Sequence, residues 1–223
     1  MVRSLKLGHE RGRLRLRLPR EDDKAVFEIS RQEFTGGSIP FAFGYDETTD
    51  FHEYLNILEN YRQGINLPEG HVPALFMVAE VSGIVVGRII LRLRLNRALS
   101  LYGGHIGYAV RPNFRERGYG KEMLLESRRI AKKLGIKRLL ICTPPSNEAS
   151  RRVILACGGE FECEVQYDDG LVRHRYWITL DEPKRQSNAA REARAERQQR
   201  PIKSRFTPDL VYLSSCRQWR GTL

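Results

Sequence analysis

The chain is short of the residues that staple or anchor proteins. Its 223 residues include only four cysteines, Cys142, Cys157, Cys163 and Cys216, with no CxxC pair and no Cys/His spacing that would set four ligands around zinc. Reduced thiols are expected, with no disulfide framework and no metal site. No apolar run approaches the roughly 18 residues needed to cross a bilayer. The first 20 residues alternate charge with leucine instead of presenting a signal-peptide stretch. A soluble, cytoplasmic protein without a membrane partner is therefore expected. Acids are also scarce: 38 Lys/Arg against 27 Asp/Glu leave a net charge of +11. The excess is confined to the ends, since residues 1–20 and 182–223 each carry +6 and residues 21–181 carry −1. A folded nucleic-acid-binding domain would spread basic side chains over one face, so contact with nucleic acid would have to run through the basic termini.

With 41% hydrophobic residues the chain can fill one core. Leu14-Arg-Leu-Arg-Leu18 alternates apolar and basic residues up to Pro19, which predicts a strand with one buried face. Glu21, Asp22 and Asp23 suit a helix N-terminus, and a helix is expected through about Phe34. Phe51, Tyr54, Leu55, Leu58 and Tyr61 recur at three and four residues and predict a second helix ended by Gly64. Two runs, Ala74 to Val81 and Ile84 to Leu95, flank the two-residue turn Ser82-Gly83 and read as a hairpin. A strand from His105 to Arg111, a helix from Lys121 to Leu134, a strand from Arg138 to Thr143, a helix from Asn147 to Cys157 and two final strands complete the pattern.

That order predicts an α/β fold with a mixed sheet of about six to seven strands flanked by about four helices. The unit from His105 to Cys142 should be a parallel strand-helix-strand crossover. Residues 1–181 form the expected domain. After Asp181 the sequence turns to Gln, Ala, Arg and Glu without an apolar stripe, so 182–223 reads as a basic, flexible tail.

The stretch Tyr108-Ala-Val-Arg-Pro-Asn-Phe-Arg115-Glu-Arg-Gly118-Tyr-Gly120-Lys121 sets two glycines between a strand and a helix. Backbone N–H groups of such a first turn can point at an anion, and Arg115, Arg117 and Lys121 surround the same spot. A dinucleotide-binding fingerprint would need glycine where Met123 stands, and a P-loop would need Ser or Thr where Glu122 stands. A plain tight turn would also use both glycines.

Arg115-x-x-Gly118-x-Gly120, after a strand ending in Ala109-Val110, resembles the acetyl-CoA signature of GNAT acetyltransferases. Asn147-Glu-Ala-Ser150 with the helix up to Gly158-Gly159 resembles that superfamily's second cofactor element. Gly103-Gly-His-Ile-Gly-Tyr-Ala-Val-Arg-Pro112 resembles the elongated strand of one group of predicted acetyltransferases within it. The element order fits over residues 13–180. The resemblance implies that Ala109 and Val110 offer backbone groups to a pantetheine arm. It implies that amides from Arg117 through Tyr119 to Lys121 hold a pyrophosphate, and that Asn147 and Ser150 lie along the cofactor.

The family's frequent general-acid tyrosine, seven residues after the Asn, is replaced by Ile154. His105 is the first candidate for general base because it titrates near neutrality and lies on the strand that delivers the thioester. Its alternative is a hydrogen bond to a loop. Glu47 and Asp50 are rivals. Cys142 reads as a buried strand thiol rather than a nucleophile. The leading expectation is an acetyl-CoA-dependent N-acetyltransferase acting on a small-molecule or peptide amine, with a homodimer as a candidate assembly. The alternatives are a ribosome- or RNA-associated module and a non-catalytic acyl-CoA sensor.

Overall fold

The computed structural model describes residues 12–35, 40–166, 170 and 172–180; the expected tail and most of the basic N-terminus lie outside them. The elements follow the predicted order: β1 (Arg15–Arg17), α1 (Lys24–Glu33), α2 (Phe51–Gln63), β2 (Ala74–Val81), β3 (Ile84–Arg92), β4 (Ile106–Val110), α3 (Tyr119–Lys133), β5 (Arg138–Thr143), α4 (Glu148–Ala156), β6 (Glu160–Gln166) and β7 (Val172–Thr179). Short 3-10 turns precede α1 and α3, and a single π turn over Leu99–Gly103 precedes β4. The β2–β3 hairpin closes on Ser82 and Gly83, both at positive φ (50° and 81°), as a two-residue turn between twisted strands demands.

The strands form two sheets, β1-β2-β3-β4 and β5-β7-β6, and every ladder among the described residues is antiparallel. The expected parallel pairing of β4 with β5 is not made as a ladder. The two strands meet at one point only. Gly104 bridges to Ile141, and the His105 amide donates to the Leu140 carbonyl at 2.7 Å. The approach is close because Gly104 has no side chain: a Cβ there would lie 2.5 Å from the Leu140 carbonyl oxygen, and its φ of +67° disfavours any other residue. Past this point β4 and β5 run unpaired, which leaves an edge of β4 open.

Each face of the four-stranded sheet covers its own core. Val86, Ile89, Leu91 and Ile106 pack with Met123 and Leu124 of α3, Ile154 of α4, and Leu139, Ile141 and Ile178 of the second sheet. On the other face Phe27 of α1 is fully buried among Phe41, Tyr45, Phe51, Tyr54 and Phe76, with ring centroids 5.1–6.1 Å away. Two arginines tie the edges through ion pairs. Arg17 reaches Asp23 and Glu80, and Arg111 at the exit of β4 grips Glu33 of α1 through Nε and Nη2 at 2.8 and 2.9 Å.

Gly104→Ala should cost at least about 2 kcal/mol, because both the left-handed backbone and the contact with Leu140 penalise a Cβ. A fall in Tm of roughly 5 °C or more is the expected reading. An unchanged Tm would mean that the sheets are not held at this point.

Candidate functional site

The open edge of β4 can be assigned atom by atom. The Arg92 amide donates to the His105 carbonyl and the Arg111 amide to the Val86 carbonyl, so odd-numbered residues of β4 turn their backbone groups toward β3. Antiparallel ladders alternate. Ala109 therefore spends its N–H and C=O on the ladder, contrary to the expectation for it, while Tyr108 and Val110 direct theirs to the free edge. The Val110 carbonyl accepts from Arg115 Nε at 3.3 Å, which leaves its amide as the group on offer.

That edge runs into the N-terminus of α3. Glu116 (φ 61°) and Gly118 (φ 82°) both take left-handed backbone and reverse the chain, and Gly118 is the helix N-cap without a side-chain cap. Bonding within the helix begins when the Lys121 and Glu122 amides donate to the Gly118 carbonyl at 3.1 and 3.2 Å. The amides ahead of them fall outside the helical ladder, at the positive end of a 15-residue helix. Arg115, Arg117 and Lys121 surround this end. Arg115 and Arg117 stack over Phe34 and Phe114 at 5.9 and 5.7 Å and stay exposed. Tyr119, by contrast, is buried at 8% exposure within the core. At Gly120 a Cβ would already touch Tyr108 Cε2 at 3.4 Å and Val153 Cγ2 at 3.6 Å, so a bulky side chain has room only outward, over the helix end.

The second motif stands beside the first. Asn147 caps α4, its side-chain oxygen accepting from the Ser150 amide at 3.0 Å, so the Asn-x-x-Ser spacing is at least a helix start. Ser150 Oγ lies 3.2 Å from the Tyr108 hydroxyl, linking α4 to β4. Burial raises the Tyr108 phenol above its ordinary pKa, so it stays protonated. Ile154 is fully buried and points into the core: a Cβ on Gly159 would sit 2.4 Å from its Cγ2. A tyrosine could not face the cleft from that position.

His105 does not fit the general-base role. Its Nδ1 accepts the Leu140 amide at 2.9 Å, and the ring is 9% exposed. Burial, and then the positive charge of Arg92, push its pKa down to about 4. The lone pair that a base would use is already occupied, and the ring ties β4 to β5. The rivals are also committed. Glu47 pairs with Arg31 at 2.8 Å, and Asp50 caps α2 by accepting the Glu53 amide, which lowers its pKa. Cys142 is half-buried rather than buried, and that burial pushes its thiol up to about 11, away from a ready nucleophile. No group of three or more metal-ligating side chains occurs among the described residues, and no described helix is long and apolar enough to cross a membrane.

Sequence reasoning missed two arginines. Arg88 and Arg92 interrupt the apolar run of β3 four residues apart, hence on one sheet face. Arg88 is 1% exposed, the largest fully buried side chain described. The signal was a pair of charges inside a β-branched run.

The model of the acetyltransferase (GNAT) domain family matches residues 13–160. The chain belongs to this family and is an N-acetyltransferase by class. Among solved structures it is similar to Mycobacterium smegmatis RimJ in complex with CoA-disulfide (22% identity, TM-score 0.61, covering 84% of this chain and 93% of that one). It is also similar to yncA of Salmonella typhimurium with its cofactor acetyl-CoA (19%, 0.53, 77% and 96%). A third is the microcin C7 self-immunity acetyltransferase MccE in complex with acetyl-CoA and AMP (18%, 0.57, 75% and 92%). At these identities the likeness is one of fold. No curated protein matches the sequence.

Protonation of His105 opposes folding. The unfolded ring takes its proton below about pH 6.5 and the folded ring only below about 4, so stability should fall as pH drops through that window. His105→Gln, whose side-chain oxygen can still accept the Leu140 amide, should flatten this loss in urea unfolding at pH 7 and pH 5 and leave turnover near pH 8 within a few-fold. Lost turnover with intact folding would return His105 to catalysis.

Proposed function

We propose that the chain transfers an acetyl group from acetyl-CoA to a primary amine by direct attack of the amine on the thioester. One observation carries this reading: an open strand edge, with the amides of Tyr108 and Val110, leads into the uncapped N-terminus of α3 amid three exposed cations. Extended arm and diphosphate have different needs, hydrogen bonds along a line and concentrated positive charge, and the two features meet them in that order. The fit is also steric. Gly118 allows the left-handed reversal, and Gly120 lets Tyr108 and Val153 close in behind the helix start, where a Cβ would already touch them.

Bound acetyl-CoA would supply an activated acyl carbonyl. The amides from Gly118 to Lys121, with Arg115, Arg117 and Lys121, would bind the diphosphate. Val110 N–H would orient the arm, and Asn147 and Ser150 would flank it. A backbone N–H at the β4 edge can stabilise the oxyanion that develops during attack. The acceptor amine, with an ordinary pKa near 10, must lose a proton first. His105, Glu47 and Asp50 are each bonded elsewhere, so the reading routes this proton to water in the cleft. A thiol pKa of about 8.5 makes the thiolate a tolerable leaving group. The protonated Tyr108 hydroxyl, held near Ser150, is the donor nearest to the role that Ile154 cannot fill.

Calorimetric titration of the intact protein with acetyl-CoA should give micromolar binding. Gly120→Trp, which drives an indole over the helix end, should abolish it with little change in Tm. No binding by the intact protein would sink this reading.

A further inference from the structure

Arg88 and Arg92 converge on a bare point of β4. A Cβ built on Gly107 would lie 3.9 Å from Arg88 Nη1 and 4.0 Å from Arg92 Nη1, with nothing closer. Both guanidinium groups thus flank the one glycine of β4 on the face toward α1 and α2, opposite the face that packs on α3. Their present partners are backbone carbonyls. Arg88 donates to Pro40 at 2.8 Å and Gly107 at 3.3 Å, under the Phe43 ring at 5.2 Å, and Arg92 donates to Gly104 at 3.2 Å. The two Nη1 bonds are at the long end of the range. Arg88 Nε has no partner, and neither arginine pairs with a carboxylate among the described residues.

A fully buried and a half-buried cation side by side are unfavourable twice over, through desolvation and through mutual repulsion. Burial, and then the charge of Arg92, pull Arg88 down to about 10, and burial lowers Arg92 as well. Buried charge is ordinarily paired. A structural role would be served by an aspartate nearby, or by an apolar residue such as those that fill the rest of β3. The counter-charge that the described residues lack has a place in a ligand, at the open point over Gly107.

We propose that the acetyl acceptor carries an anionic oxygen group, a carboxylate or a phosphate, beside its amine, and that Arg88 and Arg92 bind it over Gly107. This rests on the acetyltransferase reading, and adds to it the class of substrate: amino acids or aminoalkyl phosphates rather than simple amines or polyamines. The amine would then face the β4 edge from the α1–α2 side, with the thioester arm along the edge itself. Planar guanidinium forks suit both oxyanions, and pairing with the ligand relieves the repulsion that the free protein carries.

The test uses the full chain at saturating acetyl-CoA and matched acceptor pairs: leucine against isopentylamine, tyrosine against tyramine, and phosphoethanolamine against ethanolamine. The anionic member should have a kcat/KM at least tenfold higher, carried by KM. The pair that shows the larger ratio tells carboxylate from phosphate. Arg92→Met and Gly107→Ala should each erase that preference with kcat within about threefold and acetyl-CoA affinity unchanged. Gly107→Ala can fold, since its Cβ meets nothing within 3.9 Å. Arg88→Met should keep or raise Tm while raising the KM of the anionic acceptor, whereas a purely structural arginine would lower Tm and leave the preference alone. Independently of turnover, N-acetylglycine or inorganic phosphate added to the CoA-saturated protein should raise Tm, and should not do so in Arg92→Met. Equal acetylation of both members of every pair, with acetyl-CoA bound, overturns this inference alone. Failure of acetyl-CoA to bind overturns the acetyltransferase reading beneath it.

Discussion

The single backbone contact between Gly104-His105 and Leu140-Ile141 decides the architecture of the site. Were β4 and β5 laddered along their length, one continuous sheet would result and no strand edge would be free inside the molecule. Because Gly104 lets the strands touch once and the ladder then stops, Tyr108 and Val110 keep unladdered amides in the middle of the fold. Exposed edges are normally a hazard that proteins cover or blunt. Here the edge is kept within the core by α3 and α4, and ends where α3 begins. His105 strengthens the same joint from its side chain, so the residue with the most familiar catalytic identity is part of the hinge that makes the cleft.

Much of this was legible in the sequence, and the parts that were not share a cause. Element order and most boundaries follow from local periodicity: Arg138–Thr143 is predicted to the residue, and α3 starts only two residues earlier than its apolar stripe suggests. The glycine loop before α3 is equally local. Partner choice between strands is not. Nothing in Ile106–Val110 says that its second edge stays open, and a parallel β4–β5 ladder was the natural default for a strand-helix-strand unit. The alternation that turns Ala109 toward β3 depends on that register. His105 misleads because reasoning from its ordinary pKa assumes solvent, whereas burial and Arg92 remove the proton it would need to exchange. Asn147 and Ser150 illustrate overlap: one spacing serves as a helix cap and as a family signature.

Charge shows the same gap between composition and structure. The excess of +11 draws attention to the termini, yet residues 21–181, with a net charge of −1, contain the cations that matter. Three are exposed around the α3 N-terminus, where the helix end already favours an anion and water keeps their cost low. Two lie on β3, Arg88 buried and Arg92 half-buried, where the cost is high and uncompensated by any described carboxylate. These arrangements suit different ligand parts. An exposed cluster attracts a multiply charged diphosphate through its long-range field, an attraction that salt screens. A buried, rigid fork recognises a small oxyanion in one geometry, with its discrimination set by desolvation.

The glycines give these pieces a common logic. At Gly104 and Gly118 the backbone must take a left-handed conformation. At Gly87 a Cβ would press within 2.5 Å of the Ala109 carbonyl oxygen, and at Gly107 the absent Cβ leaves the space between two guanidinium groups. Strands lose stability at each such position, since glycine forfeits both packing and conformational entropy. Gly87, Gly104 and Gly107 lie on or next to β3 and β4 and Gly118 at the start of α3, with an unsatisfied Arg88 Nε on the same strands and no side-chain cap on the helix. Local rules for stable folding are broken repeatedly around this edge, whereas the aromatic packing around Phe27 and the paired Arg17 and Arg111 keep them. A fold that concentrates its departures from optimal stability around one edge has reserved that edge for contacts with something other than itself.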